Sequence, residues 1–179
     1  MLIFVAGVHG VGKGYLCENY AVSNRAVHKS ASQLIKEYGN VELTVDKLTA
    51  DIDRNQLILM AAIDDLKGKK EDILLDGHFS LVTKAGSVEK IGIDIFKGLK
   101  LDGVILIKND LELIKQRLIM RDNKEPIYDV NVLMSAEQNH ARAVCKELDI
   151  PLKELLAPTI DDFVMSVEEI GRELKSRTQ

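Results

Sequence analysis

Cysteine is scarce in this chain of 179 residues: only Cys17 and Cys145 occur, far apart and without metal-ligand spacing. That excludes a disulfide framework and a zinc-stapled subdomain, and leaves two reduced structural thiols as the simplest reading. Long apolar runs are missing as well. The hydrophobic stretches are strand-sized and interrupted, short of the ~20 residues that a membrane-spanning helix needs. An excess of positive charge is also absent, since the net charge is −4 and no basic stripe occurs. No nucleic-acid partner and no membrane partner are therefore expected. There is no internal repeat or low-complexity tract, and the first residues enter an apolar run without a basic n-region, so a cytoplasmic location is expected. What remains is globular: 46% hydrophobic and 29% charged residues, with length enough for one domain and a real core.

The most informative stretch runs from Leu2 to Tyr15. Leu2-Ile3-Phe4-Val5-Ala6 is an apolar run of strand formers, the pattern of a strand buried on both faces. Gly7-Val8-His9-Gly10-Val11-Gly12-Lys13 then fits the phosphate-binding pattern G-x-x-x-x-G-K, with a helical pattern behind it. Glycines let the backbone curl until successive N–H groups point inward around an anion. The helix adds its unpaired first-turn N–H groups and the positive end of its dipole. Lys13 brings a mobile full charge for the β- and γ-phosphates. Residues Gly7, Val8, His9, Gly10, Val11, Gly12, Lys13, Gly14 and Tyr15 are thus expected to bind ATP. Gly14 stands where most such loops carry the Ser or Thr hydroxyl that ligates Mg²⁺. The metal must then rest on phosphate oxygens, water and a carboxylate from elsewhere.

That carboxylate is expected at Asp76, which ends the apolar run Ile73-Leu74-Leu75. The carboxyl end of a strand is where open α/β sheets place their ligands. Further along, Arg117 and Arg121 lie one turn apart on a helix predicted over Leu111 to Arg121, with Asn109 or Asp110 as its cap. Two guanidiniums on one face suit a triphosphate. Arg54, Asn55 and Gln56 cluster near the start of a helix predicted from about Ala50 to Gly68, where they could read an acceptor. Other elements expected are a strand near Ala26–His28, a serine-capped helix from Ser30, a polar connection over 39–48, and a loop with a short amphipathic helix over 81–100. A strand over Leu101–Ile107, a helix near Val132–Leu148, a last strand through Leu156 and a helix opened by Thr159-x-x-Asp162 complete the chain. Strands alternating with helices predict an α/β fold with a parallel sheet and right-handed crossovers.

The loop form G-x-x-G-x-G-K-G and the segment Leu74-Leu75-Asp76-Gly77 resemble adenylate kinases and their nucleoside monophosphate kinase relatives. Asp76-x-His78 is most similar to the archaeal-type branch. His9 and Tyr15 replace the Pro and Thr usual there, and Ser80 falls where the family carries an arginine for the acceptor phosphate. The resemblance implies a three-layer P-loop fold, with a five-stranded parallel sheet of order 2-3-1-4-5 and helices on both faces. It also implies an acceptor-binding helical arm over 30–68 and a short lid over 117–131, all within one domain spanning 1–179. Lys36 stands at the arm's phosphate-gripping position, and Gln138-x-x-x-Arg142 matches a motif whose arginine turns into the active site. The expected activity is transfer of the γ-phosphoryl of Mg·ATP to a small-molecule acceptor, first a nucleoside monophosphate. Lys13, Arg117, Arg121 and Arg142 would be the catalytic cations, Asp76 the Mg²⁺ residue, and Lys36, Arg54 and His78 the acceptor residues. The alternatives are a P-loop kinase of another metabolite, or a nucleotide sensor or ATPase without an acceptor.

Overall fold

The computed structural model describes residues 1–39, 52–68 and 71–177. The polar connection expected over 39–48, Gly39 excepted, and the helix start expected near Ala50 lie outside these residues. Five parallel strands form the central sheet: β1 (Leu2–Ala6), β2 (Ala26–Ser30), β3 (Asp72–Asp76), β6 (Gly103–Lys108) and β7 (Leu152–Leu156). Their order across the sheet is β2-β3-β1-β6-β7. Counted among sheet strands alone, this is the expected 2-3-1-4-5. The numbering differs because β4 (Ser80–Val82) and β5 (Val88–Lys90) form a separate antiparallel hairpin between β3 and β6.

That hairpin was not expected from the sequence, which reads as a loop there. Each strand has only three residues, too short for an alternating pattern to register. Its turn is held by Thr83 and Ser87, whose hydroxyls lie 2.6 Å apart. The amphipathic helix expected in the same stretch is α4 (Ile93–Leu99).

Alternation along β1 sends side chains to two cores. Leu2, Phe4 and Ala6 face a cluster that includes Leu34 of α2 (Ala31–Gly39), Ile63 of α3 (Ile52–Lys67), Phe96 of α4 and Val144 of α6 (Val130–Glu147). Ile3 and Val5 face Leu16 of α1 (Lys13–Ser23), Leu118 of α5 (Leu111–Asp122) and Phe163 of α7 (Ile160–Arg177). The three central strands are apolar on both sides for that reason. Phe4, Phe79 and Phe96 form one aromatic knot, with ring centroids 4.4 to 5.6 Å apart. Such pairs add about 0.5–1.5 kcal/mol beyond the area they bury.

Local chemistry sets the helix starts. Ser30 accepts from the Gln33 N–H at 3.1 Å, while the Gln33 side chain accepts from the Ser30 N–H at 3.1 Å. Asp110, rather than Asn109, caps α5 through the Glu112 and Leu113 amides. Thr159 and Asp162 exchange the reciprocal bonds of a capping box, with Asp in place of Glu. Among the described residues, no helix is long and apolar enough to cross a membrane.

Candidate active site

The turn from β1 into α1 is built on glycine geometry. Gly7, Gly10 and Gly12 have φ of 138°, 87° and 106°, in the region that L side chains rarely adopt. At Gly7 a Cβ would also stand 2.4 Å from the Ile107 carbonyl oxygen of the neighbouring strand. The loop then leads into α1, whose first residue is Lys13. Around it opens a cavity of about 670 Å³. Its walls are the loop from His9 to Leu16, Asp76 at the end of β3, Asn109 after β6, Leu113 and Arg117 of α5, and Ala157-Pro158 after β7. Apart from Arg117, midway along α5, these residues lie at the carboxyl ends of strands or in the first turns of the helices that follow.

Lys13 is 6% exposed. Its ammonium donates to the Gly7 carbonyl at 2.6 Å and to the Val8 carbonyl at 3.3 Å, and stands 3.6 Å from Asp76 Oδ1. Burial lowers its pKa, and the neighbouring Asp76 and Glu137 charges only partly oppose this. A bound anion beside this buried ammonium would offset its desolvation. His28 Nε2 stands 3.8 Å from the other oxygen of Asp76, beyond hydrogen-bond reach. Gly77, which follows Asp76, lies where a Cβ would meet the Phe4 ring at 2.5 Å.

The expected metal and nucleotide can be tested against these residues. No group of three or more His, Cys, Asp or Glu able to hold a metal occurs among the described residues. Among the described residues, Asp76 is the carboxylate that lines the cavity, and one carboxylate would suit an ion that keeps waters and phosphate oxygens as its other ligands. For a triphosphate, the glycine cradle and the helix N-terminus supply N–H donors, and Lys13 a full charge. Both groups fit on those terms.

His9, in the loop, and His78 lie against each other with ring centroids 4.3 Å apart and planes tilted by 56°. His9 keeps an exposed edge, but the protein surrounding the rest of the ring, followed by the Lys13 and Arg121 charges, lowers its pKa to about 4. His78 is likewise held well below 6.5 by burial, Lys13 and His9, although a hydrogen bond with the Gly7 backbone opposes this. Both rings are neutral at pH 7. Behind Lys13, burial pushes the Cys17 thiol far up, and it pushes Cys145 up to about 12. Neither thiol carries the charge that nucleophilic chemistry requires.

The other predicted residues divide. Arg117 lines the cavity and donates from Nη1 to the Gly10 carbonyl at 2.8 Å. Arg121, one turn on, is exposed and makes two bonds to Asp122, at 2.8 and 2.7 Å. Lys36 on α2 and Arg54 on α3 are exposed, and neither lines the cavity. Arg142 requires a correction. It does not line the cavity but binds Glu154 of β7 through Nε at 2.6 Å and Nη2 at 2.8 Å. Ser80, standing where an acceptor arginine was expected, is 3% exposed, and its hydroxyl has no partner among the described residues.

Sequence reasoning missed Glu137. It is 1% exposed and accepts from the backbone N–H groups of Gly7, Phe79 and Ser80. The signal was available: an acidic residue stands in the apolar stripe Val130, Leu133, Ala141, Val144 of α6. Burial raises its pKa, while those three donors and Lys13 lower it. Asn109, Ala157 and Pro158 were also missed, since only the sheet brings the ends of β6 and β7 to the loop.

Comparison with known proteins agrees with this geometry. No curated protein matches the chain. Among solved structures, a gluconokinase from Sinorhizobium meliloti superposes with a TM-score of 0.54 at 13% identity, covering 99% of this chain and 97% of its own. A thymidylate kinase from Candida albicans gives 0.53 at 18% identity, over 97% and 92% of the two chains. A shikimate kinase from Aquifex aeolicus gives 0.52 at 11% identity, over 97% and 99%. At such identities these likenesses establish a shared fold. The family described as AAA domain matches residues 6–132, which is more than half of the chain and includes the whole loop, Asp76 and Arg117. This chain belongs to the AAA domain family.

Proposed function

We propose that the chain is a phosphotransferase that moves the γ-phosphoryl of Mg·ATP to a small-molecule acceptor. The observation that carries the reading is Lys13, buried in a glycine cradle and 3.6 Å from the strand-end carboxylate of Asp76 at the wall of the cavity. The loop N–H groups and Lys13 would hold the donor phosphates, and Asp76 would hold Mg²⁺ or its waters. When bound there, Mg²⁺ would supply positive charge against the phosphates. Arg117 would add positive charge from the cavity wall, and Arg121 would exchange Asp122 for the transferring group. Phosphoryl transfer needs such positioning and charge more than it needs a covalent nucleophile. The kinase folds of the gluconokinase, thymidylate kinase and shikimate kinase support the class of reaction.

A nucleoside monophosphate is the first acceptor to test, because the loop and the Asp76-x-His78 segment resemble adenylate kinases. Lys36, Arg54 and His78 are the groups that would then serve its phosphate, Lys36 and Arg54 by moving in from the exposed faces of α2 and α3. A hydroxyl acceptor is the second reading, favoured by Ser80 standing where the resembling family carries its acceptor arginine and by the His9–His78 pair, whose pKa values burial lowers. A phosphate acceptor is already ionised and wants cations, whereas a hydroxyl wants a base. Incubation with Mg·ATP labelled at the γ-phosphate decides between them. AMP and other monophosphates form one panel, and sugar and carboxylic-acid alcohols the other. Label in a nucleoside diphosphate supports the first reading and label in an alcohol phosphate the second. Failure of ATP to bind would end both.

A further inference from the structure

Glu137 is a buried carboxylate whose partners are all main chain. Its Oε1 accepts from the Gly7 N–H at 3.1 Å, and its Oε2 accepts from the Phe79 and Ser80 N–H groups at 2.8 and 2.7 Å. Because every hydrogen-bond partner is a donor, an amide in its place would set hydrogen against hydrogen at one contact or more. A carboxylate can accept from the whole set, and charge-assisted bonds of this kind are short and strong.

The three donors occupy informative places. Gly7 is where β1 turns into the loop, and the carbonyl of that same residue accepts from Lys13 at 2.6 Å. Glu137 and Lys13 therefore grip the two sides of one glycine. Phe79 and Ser80 follow directly on the turn that bears Asp76 and His78. A single side chain from α6 thus ties the residue that seats Lys13 to the segment that carries the strand-end acid.

We infer that Glu137 is a positioning residue for phosphoryl transfer, fixing the first peptide of the loop and the turn after β3 in one rigid arrangement. Lys13 and the Asp76–His78 segment then meet the transferring group together. The inference rests on reading the loop as the nucleotide site. An alanine or leucine in that stripe would avoid burying a carboxylate but would leave the Gly7, Phe79 and Ser80 N–H groups without this acceptor. Misplacing a catalytic group by about 1 Å costs on the order of 100-fold in rate.

The test uses the full chain with Mg·ATP and water as the acceptor, so that no other substrate need be known. Glu137→Gln is expected to bind Mg·ATP within about threefold of wild type and to lose on the order of 100-fold in kcat. In wild type, the Gly7, Phe79 and Ser80 amide protons are expected far downfield, and in the variant the Gly7 proton moves upfield. A folded variant with wild-type kcat overturns the inference, as does a loss confined to ATP affinity. If Glu137→Gln does not fold, the wild-type spectrum decides: ordinary shifts at those three amides overturn the inference, and downfield shifts support it. A wild-type protein that fails to bind Mg·ATP ends the nucleotide reading itself. A wild type that hydrolyses ATP and is matched by its variant ends only this inference.

Discussion

Arg142 and Glu154 form a two-point ion pair across α6 and β7, and Lys108 approaches the same carboxylate at 2.9 Å. The pairing removes from the active site an arginine that the sequence motif placed there. The Arg142 bond, with Lys108 assisting, holds the Glu154 pKa down at about 2 from 4.5. A lowered carboxylate pKa stabilises the fold above its unfolded value near 4.5, and the contribution disappears as the pH falls through about 2.

The first prediction follows from that pair. Arg142→Ala should leave phosphotransfer within about twofold of wild type, because the guanidinium serves the β7 edge. It should lower the melting temperature at pH 7 by about 2–4 °C, a modest effect since the pair is half-exposed. The deficit should shrink as the pH is lowered from 4.5 towards 2. Thermal melts across that range, alongside an activity assay, check both halves. A large loss of kcat would return Arg142 to the site.

Lys13 makes a second prediction, with a readout separate from turnover. Lys13→Ala should abolish phosphotransfer and weaken ATP binding while the fold is kept. The same change removes a charge that depresses His9 and His78. The His9 ring, titrating near 4 in wild type, should therefore titrate higher in the variant. Because the lowered value means that the fold favours neutral His9, wild-type stability should fall as the pH drops from 6.5 towards 4. Histidine resonances followed over pH would check the shift, and an unchanged His9 midpoint would separate Lys13 from the histidine pair.

What the sequence made legible was whatever leaves a local mark. The loop could be read because an anion nest demands glycine where φ is positive, and Gly7, Gly10 and Gly12 meet that demand. Ser30, Asp110 and Thr159 could be read as caps, since capping is settled within three residues. Asp76 could be read as the end of an apolar run. The rest depends on distant partners. Arg142 finds Glu154 only because β6 and β7 pair with Leu106 opposite Glu154. His9 meets His78, and Glu137 meets Gly7, only once β3 and α6 have packed beside β1. The hairpin of β4 and β5 is too short to announce itself, and its position comes from Phe79 entering the core.

The last prediction concerns Gly14 and the metal. Unlike the other loop glycines, Gly14 has no positive φ, and a Cβ built on it meets nothing within 4 Å. Its side chain is therefore absent for no steric reason, and Gly14→Ser should be accommodated. A serine in a helix is better than glycine by a few tenths of a kcal/mol, so stability should rise slightly or stay level. The hydroxyl would stand at the position where most such loops ligate Mg²⁺. The expected result is activity at a lower Mg²⁺ concentration than wild type requires. Asp76→Asn should shift the requirement the other way, because the one carboxylate on the cavity wall among the described residues is lost. Combining the two substitutions should bring the Mg²⁺ dependence back towards wild type. Titrating Mg²⁺ at fixed ATP across the four proteins tests the scheme. If Asp76→Asn leaves the Mg²⁺ requirement unmoved, Asp76 serves only to pair with Lys13 and His28, and the metal is held by phosphate and water alone.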